Sequence, residues 1–347
     1  MAAKLTTKTS CSGAQRAAMP KIIKPMLATL VDDSFSDPDW LFETKWDGVR
    51  AVCFLENGKA RFVSRNQNDL TTQYPELSET GNTISGRRSI LDGEIVALDE
   101  HGVSRFQLLQ PRLGRKNQAE IARLAASTRL AYYVFDLLYL DGFDLQSCSL
   151  LDRKTQLEAI IKPGKNIRYS DHIIEHGEAL YKEIAKIPLE GIVAKRLASN
   201  YMQKRSRDWL KIKTIQESEV VVGGYTEPRH SRSYFGALVV GLYERGKLHY
   251  VAHIGGGFNE KSLEQLYKLL QPLRTSQCPF VEKPQTNEPV QWVKPKLVAQ
   301  VKFAEWTAER RLRQPIFLGL RDDKKAEEST FERTRETSEI VKKLKRR

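Results

Sequence analysis

Residues 41–50, LFETKWDGVR, place a lysine, Lys45, at the end of an otherwise strand-like segment. Glu43 lies two positions before this lysine, and a Trp-Asp-Gly turn follows it directly. A lysine before an Asp-Gly pair is usually a solvated surface residue, because such short motifs often arise by chance. Whether Lys45 is more than that depends on what accompanies it in the rest of the chain.

The composition predicts an intracellular protein with a polyanionic partner. The chain has 347 residues, enough for two domains that each bury a core, and a net charge of +13. This basic balance favours nucleic acid, although a membrane surface or plain solubility would also use it. No apolar run approaches the length of a membrane span and no signal-peptide core is present. We therefore expect a cytoplasmic protein without a membrane partner.

Zinc motifs are weak in this sequence. Residues 172–176, HIIEH, match the HxxEH pattern of certain zinc peptidases, but no downstream segment offers a further ligand. We expect an ordinary surface helix there. The cysteines, which show no CxxC spacing, are Cys11, Cys53, Cys148 and Cys278. This scatter predicts reduced thiols, and neither a disulfide framework nor a zinc knuckle.

Changes in composition divide the chain into four regions. Residues 1–19 lack acidic side chains and predict a disordered linker or extension, although a transit peptide has a similar composition. Residues 20–216 mix strand-like runs with helical segments. Residues 217–325 contain short strands, tight turns and one helix, which fits a small barrel of the oligonucleotide-binding kind. Residues 326–347 are almost wholly charged and predict a solvated helix or tail.

Two local patterns predict defined elements. Asn57 and Gly58 separate two arms of alternating apolar residues, which is a strong signal for a β-hairpin. Ser262 and Gln265 fit a capping box at the start of an amphipathic helix.

Charged residues recur at the ends of predicted strands. Glu94 lies in LDGEIVALD, Glu190 in LEGIVAKR, and Lys211 and Lys213 in DWLKIK. Because side chains alternate along a strand, Lys211 and Lys213 share one face, and an anion over them would offset their repulsion. Each residue alone is more often a surface charge than a site. Their order along one chain makes them candidates.

The ordered series ETKWDGVR, VSRNQ, LDGEIV, YYVFDLLYLDG, LEGIVAKR, DWLKIK and GLRDDK resembles the motif series of ATP-dependent DNA ligases. The sequence around these motifs is similar to the ligase module of bacterial ligase D, and the match covers roughly residues 22–330. The resemblance implies an α+β fold. A nucleotidyltransferase (adenylation) domain of antiparallel sheets with helices would precede a small all-β OB-fold domain.

By this resemblance, Lys45 is the nucleophile that attacks the α-phosphate of ATP and carries AMP as a phosphoramidate. Only the neutral amine attacks. We therefore expect burial by Trp46, a metal ion on the triphosphate and the two lysines of DWLKIK to lower the pKa of Lys45. Asp47 opposes this shift and is expected to orient the loop, while Gly48 lets the backbone turn close to the nucleotide.

The resemblance also implies roles for the remaining positions. Phe135 would stack on adenine, although a strand aromatic is by itself more often buried, and Glu43 would stand near the exocyclic amine. Further nucleotide contacts are implied for Arg50 and Arg65 (ribose or nucleic-acid phosphate), Glu94 (ribose hydroxyls), Lys211 and Lys213 (α-phosphate), Arg205 (adenylate), and Arg321, Asp323 and Lys324 (pyrophosphate). Glu190, with Glu94, would hold Mg²⁺, with Mn²⁺ as an alternative. Because RDDK lies in the second domain, the domains would close over the nucleotide.

The implied activity is the sealing of 3′-hydroxyl/5′-phosphate nicks in duplex DNA by a monomer, in DNA repair or end joining, within the bacterial cytoplasm or nucleoid. A Ku-type end-binding partner is implied by the resemblance alone. Two alternatives stay open. One is an RNA ligase or mRNA-capping guanylyltransferase with the same lysyl-nucleotide chemistry, and the other is a non-catalytic nucleic-acid-binding relative.

Overall fold

The structure is a computed structural model that describes residues 11–112, 115, 117–162, 164–228 and 232–345. The chain forms two compact units. Unit 1 comprises Met1–Thr214 and Arg333–Arg347, and unit 2 comprises Ile215–Glu332. Unit 2 is therefore an insertion between two parts of unit 1. The boundary that the sequence placed after residue 216 lies two residues beyond this division.

The elements of both units follow in chain order. The strands are β1 (Gln15–Arg16), β2 (Leu27–Leu30), β3 (Asp37–Thr44), β4 (Val49–Glu56), β5 (Lys59–Ser64), β6 (Arg88–Leu98), β7 (Arg129–Leu140), β8 (Phe143–Asp144), β9 (Ile167–Tyr169), β10 (His172–Glu175), β11 (Gly191–Arg196), β12 (Arg205–Lys213), β13 (Glu217–Thr226), β14 (Leu238–Glu244), β15 (Lys247–Ile254), β16 (Arg274–Thr275), β17 (Val290–Val293), β18 (Val298–Lys302) and β19 (Ile316–Arg321). The α-helices are α1 (Thr80–Thr83), α2 (Gln118–Ser127), α3 (Leu150–Ile160), α4 (Gly177–Ile184), α5 (Glu260–Leu270) and α6 (Thr337–Lys345).

Unit 1 contains two sheets that pack against each other. The first sheet has the order β1-β8-β7-β6-β4-β5, with β9 beside β7, and the second has the order β10-β3-β11-β12-β2. Phe54 and Phe135 from the first sheet share a buried cluster with Trp209 from the second. We call the two faces that meet in this cluster the inner faces.

Local turn chemistry sets the register at one edge of the first sheet. Asn57 and Gly58 both adopt positive φ, 50° and 80°, between the paired residues Glu56 and Lys59. Asn-Gly tolerates this backbone, whose twist matches that of the flanking strands. The hairpin predicted from the sequence is confirmed.

Helices cover the outer faces of the two sheets. Leu157 and Ile160 of α3 join the larger core of the first sheet. Ile184 of α4 and Ile340 of α6 pack with Phe42 in the core of the second. Among the described residues, no helix has the length and hydropathy needed to span a membrane.

The C-terminal segment differs from the solvated helix or tail that its charge predicts. Ile340 and Leu344 of α6 are buried against the second sheet. At the start of the helix, the Thr337 amide donates a hydrogen bond to the Asp32 carboxylate, 2.9 Å. The cause is the i,i+4 spacing of the two apolar residues, which forms a narrow stripe that the sheet can bury.

This burial predicts a loss of stability in Leu344→Ala. We expect the free energy of unfolding to fall by about 2 kcal/mol, because a buried leucine is truncated and its space is only partly refilled. Urea denaturation followed by circular dichroism measures it, with Lys342→Ala on the exposed side of α6 as the control. Equal stability of the two variants would mean that α6 does not pack on the sheet in solution.

The N-terminal segment also differs from the disordered extension. Within residues 11–19, β1 pairs with β8, and Cys11 is buried and joined to Cys148 by a disulfide. The expectation of reduced thiols is therefore wrong for this pair, because folding brings together cysteines that are far apart in the chain. Cys53 and Cys278 are free. Residues 1–10 lie outside the described part of the chain.

Unit 2 contains a third sheet, which is antiparallel, and helix α5 packs against it. Its order is β15-β14-β13-β17-β16, and β18 pairs with both β13 and β19. Leu263, Leu266 and Leu270 of α5 are buried, as the apolar period predicts. The helix begins earlier than predicted, because Asn259 is the N-cap and its reciprocal capping partner is Ser262.

Candidate active site

The loop of residues 45–48 joins β3 to β4 and is held by backbone and side-chain contacts. The Lys45 amide donates to the Gly191 carbonyl, 2.9 Å. The Asp47 amide donates to Ser104 Oγ, 3.3 Å, and an Asp47 carboxylate oxygen accepts from the Phe106 amide, 3.0 Å. Asp47 therefore orients the loop, in agreement with the role expected of it.

Packing fixes the two other residues of the loop. The Trp46 ring stacks on Tyr133 with centroids 3.7 Å apart, and its Nε1 donates to Ser170 Oγ, 3.1 Å. A Cβ on Gly48 would lie 2.2 Å from the Ile95 carbonyl oxygen. The glycine is thus required by the neighbouring strand β6, whereas the sequence suggested crowding by the nucleotide.

Carboxylates surround the Lys45 ammonium. It forms an ion pair with Glu190. Burial lowers the pKa of Lys45, but Glu190 and, more weakly, Asp47 and Glu94 outweigh burial and raise it. Burial raises the pKa of Glu190, and its cationic neighbours, Lys45 first, bring it below its usual range. The carboxylates thus shift the Lys45 pKa upward, opposite to the lowering expected from burial, a metal ion on the triphosphate and the two lysines of DWLKIK.

Strand register brings the candidate cations to the same inner face. Gly191 of β11 pairs with Lys213 on one side and accepts the Lys45 amide on the other. Two residues further along β11, Val193 pairs with Lys211 on one side and with Glu43 on the other. Since side chains alternate, Lys211 and Lys213 share a face, as predicted, and Glu43 shares one with Lys45.

Glu43 is buried between two lysines that the sequence did not single out. Its carboxylate oxygens accept one hydrogen bond each from Lys154 Nζ and Lys195 Nζ, both at 2.7 Å. Burial raises the pKa of Glu43, but the two ammonium groups lower it overall. Burial also lowers the pKa of Lys195 to about 8 despite Glu43. Lys195 lies in the motif LEGIVAKR, but no local pattern in the sequence indicates that Lys154 and Lys195 share Glu43 as a partner.

Phe135 is also buried, with 7% of its surface exposed. Its ring lies 4.4 Å from the Arg50 guanidinium and 4.3 Å from Lys195 Nζ, and contacts Trp209 edge to face. The structure thus places Phe135 in a core, which is the alternative that the sequence left open beside adenine stacking.

Two substitutions separate these alternatives. Phe135→Ala should lower the free energy of unfolding by about 3 kcal/mol, because it empties a buried aromatic site. Phe135→Leu keeps most of the apolar volume and should cost ~1 kcal/mol. Calorimetry of ATP binding to the leucine variant then measures what the aromatic ring of Phe135 contributes to ATP affinity. A dissociation constant equal to that of wild type would exclude stacking of this ring on adenine.

Arg50 forms an ion pair with the buried Asp92, which the sequence did not predict. It donates to both oxygens of Asp92, each at 2.7 Å, and the Tyr201 hydroxyl donates to the same carboxylate, 2.5 Å. Burial lowers the pKa of Arg50, but Asp92 raises it overall. Glu94 of β6 lies directly opposite Arg50 in the register, so both belong to the same inner face.

The other arginines that the sequence proposed for unit 1 lie at strand ends. Arg65 is half-buried and follows β5 directly. Arg205 begins β12, is exposed, and donates to the Ala28 carbonyl, 2.5 Å. Their contact with a nucleotide stays a prediction.

The RDDK residues form a network within unit 2. Arg321 donates to both carboxylate oxygens of Asp323, each at 2.8 Å, and to Gln300, 3.0 Å. Lys324 forms an ion pair with Glu219, 3.1 Å. The pKa of Asp323 is raised by burial but lowered overall by Arg321. Charge pairing therefore holds this motif in place, and its action on pyrophosphate stays a prediction.

The HIIEH segment is not a helix. His172–Glu175 forms strand β10, at the edge of the second sheet, antiparallel to β3. His172 Nδ1 lies 3.1 Å from the Tyr169 hydroxyl. The expected surface helix is thus wrong, and the peptidase motif lacks the helix it needs.

No group of three or more His, Cys, Asp or Glu side chains in the described ranges is arranged to hold a metal.

The two units coincide with two known protein families. The family model for the ATP dependent DNA ligase domain matches residues 25–213, and that for the ATP dependent DNA ligase C terminal region matches residues 231–324. The chain belongs to the ATP-dependent DNA ligases. The predicted fold class, a nucleotidyltransferase domain followed by an OB-fold domain, is confirmed with it.

Relatives of this ligase chain include longer proteins. The multifunctional non-homologous end joining protein LigD of Pseudomonas aeruginosa is 38% identical over 91% of this chain and 37% of that protein. LigD of Mycolicibacterium smegmatis is 36% identical over 92% of this chain and 41% of that protein. The chain thus spans about two fifths of these relatives' length. A solved structure of mycobacterial DNA ligase D complexed with ATP and MES matches with 33% identity and a TM-score of 0.64, covering 89% of this chain and 98% of that one.

Proposed function

We propose that this chain is an ATP-dependent DNA ligase that joins 3′-hydroxyl and 5′-phosphate ends through a lysyl-AMP intermediate on Lys45. The observation that carries this proposal is the setting of Lys45. Its ammonium pairs with Glu190, and register places Lys211 and Lys213 on the same inner face. In a chain of the ligase family, this arrangement supports Lys45 as the nucleophile and Lys211 and Lys213 as cations for a phosphate.

Three displacements at phosphorus make up the reaction. First, Lys45 gives up a proton to solvent, and its nitrogen bonds to the α-phosphorus while the bond to pyrophosphate breaks. Next, an oxygen of the DNA 5′-phosphate attacks that phosphorus and the lysine nitrogen leaves. Last, the 3′-hydroxyl attacks the activated 5′-phosphate and AMP leaves. Lys211 and Lys213 neutralise charge that develops on the phosphate oxygens.

Mg²⁺ suits the carboxylates at this site. Glu190 and Glu94 both act on the Lys45 charge. Protein sites often hold Mg²⁺ with one or two carboxylates, while water and substrate phosphates complete its shell. These two residues would hold the ion, with Mn²⁺ as an alternative. When bound, it would neutralise the negative charge of the triphosphate.

Duplex DNA is the proposed partner. The net charge of +13 favours phosphate contacts, and such binding weakens steeply as salt rises. Two relatives are named for non-homologous end joining. We extend that role to this chain, with broken ends as substrate and a Ku-type protein as a partner, acting as a monomer in the bacterial cytoplasm.

A sealing assay tests the proposal. The protein, ATP and Mg²⁺ are incubated with a labelled nicked DNA duplex, and ligated product is expected on a denaturing gel. Parallel reactions with GTP, and with a nicked RNA duplex, test the guanylyltransferase and RNA ligase alternatives. Absence of both product and covalent AMP adduct would favour a non-catalytic relative.

A further inference from the structure

The buried residue Lys154 is linked by hydrogen bonds to the chain before and after Lys45. Lys154 Nζ donates to a Glu43 carboxylate oxygen, 2.7 Å, and to the Ser170 carbonyl, 2.8 Å. Ser170 Oγ in turn accepts from Trp46 Nε1, 3.1 Å. Glu43 lies two residues before Lys45 and Trp46 directly after it. A single ammonium group therefore connects the strand that leads into Lys45 with the loop that leaves it.

The surroundings of Lys154 hold it in place. Its neighbour in α3, Arg153, donates to both oxygens of Asp136 in β7, 2.7 and 2.9 Å, which ties the helix to the first sheet. The Ser170 amide donates to the Val134 carbonyl of the same strand, 2.8 Å. Lys154 thus extends from a helix fixed on the first sheet to Glu43 in the second. Its hydrogen bonds span the two sheets between which Lys45 lies.

Stability alone is a weak reason for this arrangement. Lys154 is fully buried, and two ammonium groups, those of Lys154 and Lys195, share the one Glu43 carboxylate. A buried ion pair often contributes no more to stability than apolar residues of the same size, because its charges lose their hydration. Buried, fully hydrogen-bonded networks do fix geometry. Fixed geometry is what an attacking amine needs.

We propose that Lys154 is a positioning residue for the adenylation step, which holds Lys45 in line with the α-phosphate through Glu43 on one side and Ser170 and Trp46 on the other. This inference rests on the proposed function. Lys45 is the nucleophile in adenylation, but it is neither nucleophile nor leaving group in the final sealing step. A defect confined to Lys45 geometry should therefore spare sealing of DNA that already carries AMP.

The first test compares Lys154→Met with Lys154→Arg. Methionine keeps the apolar stem but removes every donor, whereas arginine keeps charge and donors. Single-turnover adduct formation at saturating ATP should be slowed on the order of 10- to 100-fold in the methionine variant. The arginine variant should recover most of that loss. Sealing of a pre-adenylated nick should stay within about threefold of wild type in both.

The second test uses the Trp46–Ser170 hydrogen bond. Trp46→Phe keeps a ring on Tyr133 but loses the donor, and Ser170→Ala loses the acceptor. Both substitutions remove the same hydrogen bond, so each should slow adduct formation. The double variant should form the adduct no more slowly than the slower of the two single variants. If Lys154→Met does not fold, the adduct-formation rates of these two variants test the positioning role instead.

The outcomes separate the two proposals. A wild-type protein that forms no adduct contradicts the proposed function itself. If wild type forms the adduct, two results overturn the inference: a Lys154→Met variant with the wild-type rate, or one with equal losses in adduct formation and in sealing. If Lys154→Met does not fold, wild-type rates in both Trp46→Phe and Ser170→Ala overturn it.

Discussion

Replacing Lys45 by alanine should abolish the covalent AMP label. Under the proposed mechanism, this amine alone forms the phosphoramidate bond, and a methyl group has no lone pair to replace it. The expected loss of adduct is on the order of 10³-fold or more. The label is measured after incubation with ATP carrying a radioactive α-phosphate, on a denaturing gel.

Two comparisons make this result specific. Lys186→Ala removes an exposed lysine that pairs with Glu183 on the protein surface, and it should label normally. Circular dichroism of Lys45→Ala should match wild type, because Lys45 is half-buried in a loop that backbone and neighbouring contacts also hold. An undiminished adduct on Lys45→Ala would move the nucleophile to another lysine.

Replacing Lys324 by alanine should separate the steps of the reaction. If this lysine stabilises the departing pyrophosphate, it contributes only to the transition state of adenylation, since pyrophosphate leaves in that step alone. Adduct formation should fall by about 100-fold or more, as for other lost transition-state contacts. Single-turnover sealing of a nick that already carries AMP should remain close to the wild-type rate.

The matched control is Glu219→Gln, which removes the ion-pair partner of Lys324 but leaves the lysine. If the ion pair matters only for the fold of unit 2, both variants should lose activity alike. If Lys324 acts on pyrophosphate, the glutamine variant should keep most of its adenylation rate. Equal losses on ATP and on pre-adenylated DNA in Lys324→Ala would make RDDK a structural or DNA-contacting motif.

Local order and spacing allowed the sequence to predict part of the site. The Asn57–Gly58 hairpin and the common face of Lys211 and Lys213 follow from turn chemistry and from the two-residue period of a strand. The order of the seven motifs indicated the ligase family. None of these inferences needs the distance between residues far apart in the chain.

Charge and burial could not be predicted in the same way. The Glu190 carboxylate raises the pKa of Lys45 more than burial lowers it. Lys154 and Lys195 both form ion pairs with Glu43. These pairs join residues that are far apart in the chain. Their strength depends on distances of a few ångströms that no local pattern contains.

The sequence by itself thus determined the family, the fold class and the candidate nucleophile, because ordered motifs and backbone periods are local properties. Tertiary structure alone decided that Phe135 is buried, that Cys11 meets Cys148, and that the charged C-terminal segment packs as α6. A side chain's environment is the sum of its neighbours in space. Those neighbours are determined by strand register and by the packing of segments that are far apart in the chain.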